Sequence, residues 1–309
     1  MKQKLFTAGV LFLLFFLLRH PQEALAASRE GMRLWLYTLL PTLLPFLILT
    51  NFLVHTNGIE KILSPFKGIW RVCFGLSPAG AYVFLLGMLC GYPMGAKLAS
   101  DLYQYEKISK REAEYLLTFC NNPSPAFVTT YLAYICLENR VPIGSILGIL
   151  VFSNFLCMLF FRFLVFKNRT VLPLKKGDSK KETSIFSSRG ALIDASIMNG
   201  FETITRLGGY ILMFSILSAC VGCYWTATPA LLDLAAGILE LTTGLSRLMT
   251  SELTFSFRFL LSMTMTSFGG LCIMAQTKSV LNKKLSLLPY IFAKCLNAAF
   301  TAAFVLILI

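Results

Sequence analysis

Long apolar runs, each about the length of one membrane crossing, constrain this sequence more than any other feature. Residues 34–54, 141–166 and 285–309 carry at most one charged residue each, and about 20 apolar residues suffice to cross a bilayer as a helix. Hydrophobic residues make up 56% of the 309 residues and charged residues only 14%, whereas about 25% of a soluble domain is charged. The pattern predicts an all-α polytopic membrane protein with roughly eight to ten membrane segments. It excludes a soluble enzyme, a nucleic-acid module and a disordered tail.

The charge of the chain predicts its topology. The 28 basic and 15 acidic residues give a net charge of +13, and basic residues of membrane proteins gather in cytoplasmic loops. We therefore expect lipid as a partner and no nucleic acid. Residues 162–189 hold eight Lys or Arg and two acidic residues, so we predict that this stretch is cytoplasmic. Residues 167–189 then form a basic linker between a first repeat at 34–166 and a second repeat at 190–309.

The first 33 residues are predicted to form a helix and a loop. Lys2 and Lys4 precede an apolar run at 5–18, and Ala24-Leu25-Ala26 resembles a signal-peptidase site. Residues 19–21 (Arg-His-Pro) interrupt the approach to that site, and the rest of the chain is itself inserted in the membrane. A retained first helix is therefore favoured over cleavage.

The cysteines predict neither disulfides nor a metal centre. Most of the nine cysteines lie in apolar runs, as buried thiols do. Cys220 and Cys223 form one C-x-x-C, with no second pair and no nearby histidine, whereas a tetrahedral zinc site needs four ligands. No nucleophile with an adjacent base is evident either. We expect no enzyme activity, catalytic residue, metal or cofactor.

The two halves resemble each other in the order of their segments. Residues 37–49 resemble 202–214, and each run is followed by a short amphipathic segment, at 59–74 and 231–245 respectively. Residues 91–99 then correspond to 267–276, and Phe119-Cys-Asn-Asn122 corresponds to Lys294-Cys-Leu-Asn297. This series predicts two inverted repeats with broken or re-entrant helices. Transporters built from repeats bind their substrate near the midplane, where short segments interrupted by Gly or Pro meet.

The first predicted break is Gly91-Tyr92-Pro93-Met94-Gly95, with Lys97 just beyond it. If a helix begins near Gly95, its free N–H groups and dipole favour an anion, and Lys97 adds a positive charge. The phosphate loop G-x-x-x-x-G-K-[ST] is absent, because Leu98 follows the lysine. The alternative is a structural re-entrant turn whose lysine reaches the interface. In the second half, the corresponding break contains Gly269 and Gly270.

The second predicted break is Asn121-Asn122-Pro123-Ser124-Pro125. Two prolines remove backbone donors, and two amides inside an apolar segment need partners, since each unsatisfied group costs about 1–3 kcal/mol. We expect Asn121, Asn122 and Ser124 to bind substrate. The alternative is a structural network that stabilises the helix break.

Two further polar residues are candidates in the second half. Glu202 lies in an apolar segment, where a charge indicates function, but Arg206 four residues later allows a simple i,i+4 ion pair. Gln276 follows the Gly269-Gly270 break and is a weaker candidate for the same site.

The motifs together resemble a known family. G-Y-P-x-G-A-K at 91–97, S-D-L at 100–102 and F-C-N-N-x-x-P at 119–125 are similar to the sporulation integral membrane protein family called YlbJ, within the nucleoside-recognition or Gate-domain superfamily. The resemblance covers roughly residues 30–300 of this chain, and residues 202–211 also fit the family pattern.

The resemblance implies a function in endospore formation. Related proteins are linked to transport of dipicolinate, a flat aromatic dianion, across the outer forespore membrane. The sequence therefore predicts a transporter of a small organic anion in that membrane. Two alternatives stay open: a transporter of nucleosides or another neutral solute, and a non-transporting structural protein of the spore membrane. Homo-oligomer formation is also left open.

Overall fold

The described part of the protein consists of helices and the loops that connect them. The computed structural model describes residues 2–55, 63–168, 189–225 and 228–308, and these contain no strand. The helices are α1 (Lys2–Arg19), α2 (Pro21–Leu34), α3 (Leu40–His55), α4 (Ser64–Phe74, a series of short turns), α5 (Pro78–Cys90), α6 (Met94–Gln104), α7 (Lys110–Leu117), α8 (Pro125–Cys136), α9 (Ile143–Phe160), α10 (Arg189–Tyr224), α11 (Pro229–Leu239), α12 (Leu241–Met249), α13 (Phe255–Phe268), α14 (Gly270–Val280) and α15 (Leu288–Leu308). The predicted all-α polytopic fold is confirmed.

In the described part of the chain, fewer helices are long and apolar enough to span a membrane than the apolar runs predict. In the described ranges, five stretches are long and apolar enough: Pro21–Leu53, Ile143–Val165, Gly190–Tyr224, Phe255–Val280 and Leu288–Leu308. A sixth is the pair α4 and α5, which is bent by 75°. The difference arises because some apolar stretches of the sequence, such as residues 115–137, fold as short helices with a loop between them. The 12 residues of α8 reach only about 18 Å, well short of a bilayer core of about 30 Å.

The first long span joins two predicted segments. α2 continues through a π-helical turn at Trp35–Leu39 into α3, so the predicted boundary at residues 33/34 falls inside a helix. Both α2 and α3 pack against α10. The indole Nε1 of Trp35 donates a hydrogen bond to the Ile204 carbonyl at 2.8 Å, which ties the start of the first half to the second.

A glycine breaks one helix in each half at the predicted place. α5 ends before Gly91, whose φ is 83°, and α13 ends before Gly269, whose φ is 87°. These left-handed conformations strain any residue with a Cβ. The helices that follow the breaks, α6 and α14, pack against each other. The order of helices around the breaks is thus the same in both halves, while their inverted orientation stays a prediction.

Two buried charged side chains connect helices of the first half through hydrogen bonds to the backbone. The Glu112 carboxylate of α7 accepts a hydrogen bond from the Ser77 N–H at 2.7 Å, at the start of α5; burial raises the pKa of this carboxyl, although the bond to Ser77 opposes the shift. Arg162 is buried and donates to the carbonyls of Cys73 at 2.6 Å and Val72 at 2.8 Å, at the end of α4.

Parts of two predicted segments lie outside the described residues. Of the predicted linker 167–189, residues 169–188 are outside, and of the predicted amphipathic segment 59–74, residues 59–62 are outside. The cytoplasmic position of the linker therefore stays a prediction.

Candidate functional site

The two breaks of the first half lie against each other. The chain leaves α7 at Leu117 and begins α8 at Pro125, where the Ser124 hydroxyl caps the helix by accepting from the Phe127 N–H at 3.2 Å. A Cβ on Gly91 would lie 2.7 Å from the Ser124 nitrogen, and one on Gly95 would lie 2.1 Å from the Cys120 carbonyl oxygen. Glycine at 91 and 95 therefore allows the loop 118–124 to pack directly on the start of α6.

The asparagines of this loop are buried and point in different directions. Asn121 donates through Nδ2 to the Thr277 hydroxyl of α14 at 3.0 Å. Asn122 donates through Nδ2 to the Phe119 carbonyl at 2.7 Å. Asn154 of α9 donates to the same Phe119 carbonyl at 2.9 Å. One backbone carbonyl thus receives two amide donors and fixes the orientation of both side chains.

A buried lysine completes the cluster. Lys294 of α15 is 3% exposed, and its Nζ lies 2.9 Å from Asn122 Oδ1 and 3.5 Å from the Ser267 carbonyl oxygen. The rings of Tyr92 and Tyr290 flank it, with centroids 5.6 and 5.7 Å from Nζ. Among the described residues, none of the ion pairs includes Lys294. Its charge is solvated by one amide, one carbonyl and two aromatic faces.

A small cavity adjoins this cluster. It has a volume of about 40 Å³, is partly open, and is lined by residues of α5, α8, α9, α13 and α15 and of the loop before α8. Its polar lining consists of Asn122, Asn154, Ser267 and Asn297, and the remaining wall is apolar. A cavity of this size holds on the order of one to three water molecules.

The cluster lies well inside a helix that is long and apolar enough to cross a membrane. At a rise of 1.5 Å per residue, Lys294 is about 9 Å and Asn297 about 14 Å from the start of α15, whose 21 residues span about 30 Å. Asn297 is therefore close to the middle of a span that matches the hydrocarbon core. Burying a charge inside a membrane span costs free energy, so a charge that is found there indicates a function.

The structure brings some predicted site residues to the cluster. Asn122 contacts Lys294, and Tyr92 presents its ring to the same ammonium group. Asn121 lies in the same loop but bonds to Thr277. Ser124 and the breaks at Gly91 and Gly95 shape the loop.

The remaining predicted residues have other partners. The Lys97 ammonium group bonds both carboxylate oxygens of Asp101, at 2.6 and 2.8 Å, one turn along α6. Glu202 pairs with Arg206, and both side chains are more than half exposed. Gln276 Nε2 lies 3.2 Å from Cys272 Sγ.

The second-half break also packs closely. A Cβ on Gly270 would lie 3.1 Å from the Gly237 carbonyl oxygen at the end of α11. Gly270 thus allows α14 to pack against α11, and neither Gly269 nor Gly270 lines the cavity.

Lys294 is the residue that the sequence reasoning missed. Two signals pointed to it: it is the single charge in the apolar run 285–309, and the comparison of the halves aligned 294–297 with 119–122. The structure brings those two matched segments into contact through Lys294 and Asn122.

No metal site is evident in the described ranges. No three His, Cys, Asp or Glu side chains there come together as metal ligands would, and the nine cysteines are free.

Comparison with known proteins tests the family resemblance. The chain is 26% identical over 336 residues to the sporulation integral membrane protein YlbJ of Bacillus subtilis (strain 168), a match that covers 96% of this chain and 80% of that protein. The predicted resemblance to the YlbJ family is confirmed. No protein-family model matches the chain, and no solved structure matches it. The relative's name and the five apolar helices agree that the chain is an integral membrane protein.

Proposed function

We propose that this protein is a membrane transporter of a small organic anion, and that Lys294 is the charge partner of that anion. The observation that carries the proposal is the burial of Lys294, about 9 Å from the start of a helix of spanning length, without a carboxylate partner among the described residues.

The electrostatics favour an anion over a neutral solute. Burying an ammonium group costs several kcal/mol even after the protein relaxes around it, and an amide and two aromatic rings offset only part of this cost. A carboxylate entering beside Lys294 supplies the missing opposite charge, and a charge-assisted hydrogen bond contributes about 1.5–3 kcal/mol. A neutral solute would leave the cost in place.

The proposed substrate is dipicolinate, and the proposed setting is endospore formation. The relative is named a sporulation integral membrane protein, and the family resemblance implies dipicolinate transport at the outer forespore membrane. The site suits a flat aromatic acid, because the rings of Tyr92 and Tyr290 flank the ammonium group that would hold its carboxylate.

We infer that binding requires the helices around the cavity to separate. The cavity of about 40 Å³ is smaller than the roughly 300–1,000 Å³ of typical ligand pockets. The short α8 follows a loop with two prolines and borders this cavity through Pro125 and Val128, so it is the element we expect to move. Rocking of one repeat against the other would then expose the site to each side in turn.

Uptake by proteoliposomes tests the proposal. Liposomes containing the purified chain are given labelled dipicolinate, with a panel of unlabelled nucleosides and aromatic acids as competitors. We expect saturable uptake that acids inhibit and nucleosides do not, and that Lys294→Met abolishes. Nucleoside uptake that survives Lys294→Met would favour a neutral-solute transporter. Absence of all uptake by correctly folded protein would favour a structural role in the spore membrane.

A further inference from the structure

Two asparagines that line the cavity each have a side-chain oxygen with no donor among the described residues. Asn154 and Asn297 line the cavity and are 5% and 4% exposed. The Oδ1 atoms of both residues are buried without a hydrogen-bond partner among the described residues. The two acceptors come from different spanning helices, α9 and α15, which pack against each other.

The orientation of Asn154 is fixed by its other contacts. Its Nδ2 donates to the Phe119 carbonyl at 2.9 Å and lies 3.8 Å from Met88 Sδ. Rotating the amide by 180° would set Oδ1 against that carbonyl, and two acceptors repel. The Oδ1 acceptor of this cavity-lining residue therefore points away from the Phe119 carbonyl.

The two parts of the site thus require different hydrogen-bonding groups from a ligand. Lys294, reached through Asn122, demands an acceptor with negative charge. Asn154 and Asn297 demand a donor. A dicarboxylate dianion offers acceptors alone, so it would satisfy the lysine and place oxygen against the two amide oxygens. An acid that keeps one proton offers a carboxylate to the lysine and an O–H to the amides.

We propose that the site takes its substrate as a monoanion with one donor group, so that a dicarboxylic acid crosses with one proton bound. This inference rests on the proposed function, whose site it describes. The acid HA⁻ enters, crosses as a unit, leaves as HA⁻, and releases H⁺ to water as A²⁻. The proton travels on the substrate oxygen, and no protein group has to change its own protonation.

The titratable groups at the site are Lys294 itself and the thiols and phenols that surround it. The groups that face Lys294 are Cys120, Cys157, Tyr92 and Tyr290, and no cavity-lining residue is acidic. A carboxylate within electrostatic range of Tyr92 is that of Glu240.

The Glu240 carboxylate has its own partners. It accepts from the backbone N–H groups of Thr242 at 3.1 Å and Thr243 at 2.7 Å and from both hydroxyls, as the N-cap of α12. It is held in this cap and does not bond to the cavity.

Two analogues of dipicolinate distinguish the contribution of the single negative charge from that of the hydrogen-bond donor. The monoamide carries one carboxylate and permanent N–H donors, and the monomethyl ester carries one carboxylate and no donor. Both compete with labelled dipicolinate for uptake by liposomes containing the full chain, between pH 5.5 and 8. We expect the monoamide to inhibit at least tenfold more strongly than the ester and independently of pH. Equal inhibition by the two analogues would overturn the inference.

Two further measurements give the stoichiometry. A pH dye inside the liposomes reports the protons released per labelled molecule, and an electrical measurement reports the charge moved per labelled molecule. We expect one negative charge and one proton per dipicolinate; two charges without acidification would contradict the inference. If no anion is taken up at all, the proposed function fails rather than this refinement.

Matched variants assign the effect to the two amides. Asn154→Leu and Asn297→Leu are expected to lower dipicolinate uptake at least tenfold and to abolish the preference for the monoamide over the ester. The control is Asn51→Leu, at a buried asparagine of α3 whose Oδ1 already accepts from the Ser196 hydroxyl at 3.1 Å. Asn51→Leu is expected to keep the preference unchanged. If the amides bind only cavity water, the cavity variants will also keep it, and the inference is then wrong.

Discussion

Replacing Lys294 by methionine should separate substrate binding from folding. Methionine keeps the length of the apolar stem and removes the ammonium group, which bonds to Asn122 and is flanked by Tyr92 and Tyr290. Because the lysine is a buried charge without an ion-pair partner among the described residues, its removal relieves a desolvation cost, as replacing buried charges by apolar groups often does. We therefore expect unchanged or raised thermal stability in detergent.

The same Lys294→Met substitution should weaken the binding of dipicolinate. The lost charge-assisted hydrogen bond contributes about 1.5–3 kcal/mol, which corresponds to a dissociation constant for dipicolinate about 10- to 150-fold higher. Isothermal titration or a scintillation binding assay on purified protein measures this change. Wild-type affinity in a folded Lys294→Met variant would refute the assignment of Lys294 as the charge partner.

Lys97→Met is the matched control. Lys97 and Asp101 are 11% and 14% exposed and form an ion pair within α6, so removing the lysine takes away a close charge partner of the carboxylate. We expect a stability loss of about 1–3 kcal/mol and an unchanged dissociation constant. Weaker binding by Lys97→Met with normal stability would instead support Lys97 as the cation of the site, as the sequence predicts.

Three further predictions concern the fold and the topology. Gly95→Ala should lose most folded protein in size-exclusion chromatography, because its Cβ would lie 2.1 Å from the Cys120 carbonyl, whereas Gly144→Ala, with nothing within 4 Å, should behave like wild type. Arg162→Met should lower the thermal midpoint by several degrees, since it removes the donors to the end of α4, and an unchanged midpoint would show that this anchor is dispensable. A cysteine placed at Ser179 should react with a membrane-impermeant thiol reagent only after permeabilisation, and labelling in intact cells would place the basic linker outside.

The sequence predicts the breaks because their cause is local. Gly91 and Gly269 adopt left-handed backbone conformations that other residues disfavour, and the prolines at 123 and 125 flank the second break. Such residues reveal a break wherever they stand in the fold. The number of spans was harder to predict, because an apolar run of half the needed length has the same composition as a complete span.

The cation of the site could not be predicted in the same way. Lys97 stands next to a break in sequence, but its charge is matched by Asp101 one helical turn away, an i,i+4 pairing that the sequence already contained. Lys294 is 172 residues from Asn122, and their contact depends on how α15 packs against α9 and α13. Only the weak similarity between the halves connected the two segments before the structure did.

Counterflow in proteoliposomes tests the central claim most directly. Liposomes containing only the purified chain are preloaded with unlabelled dipicolinate and diluted into a trace of labelled dipicolinate. The account predicts transient accumulation of label by the wild-type protein and by Lys97→Met, and none by Lys294→Met. Accumulation by Lys294→Met equal to that of the wild type, or no accumulation by a folded wild-type protein, would contradict it.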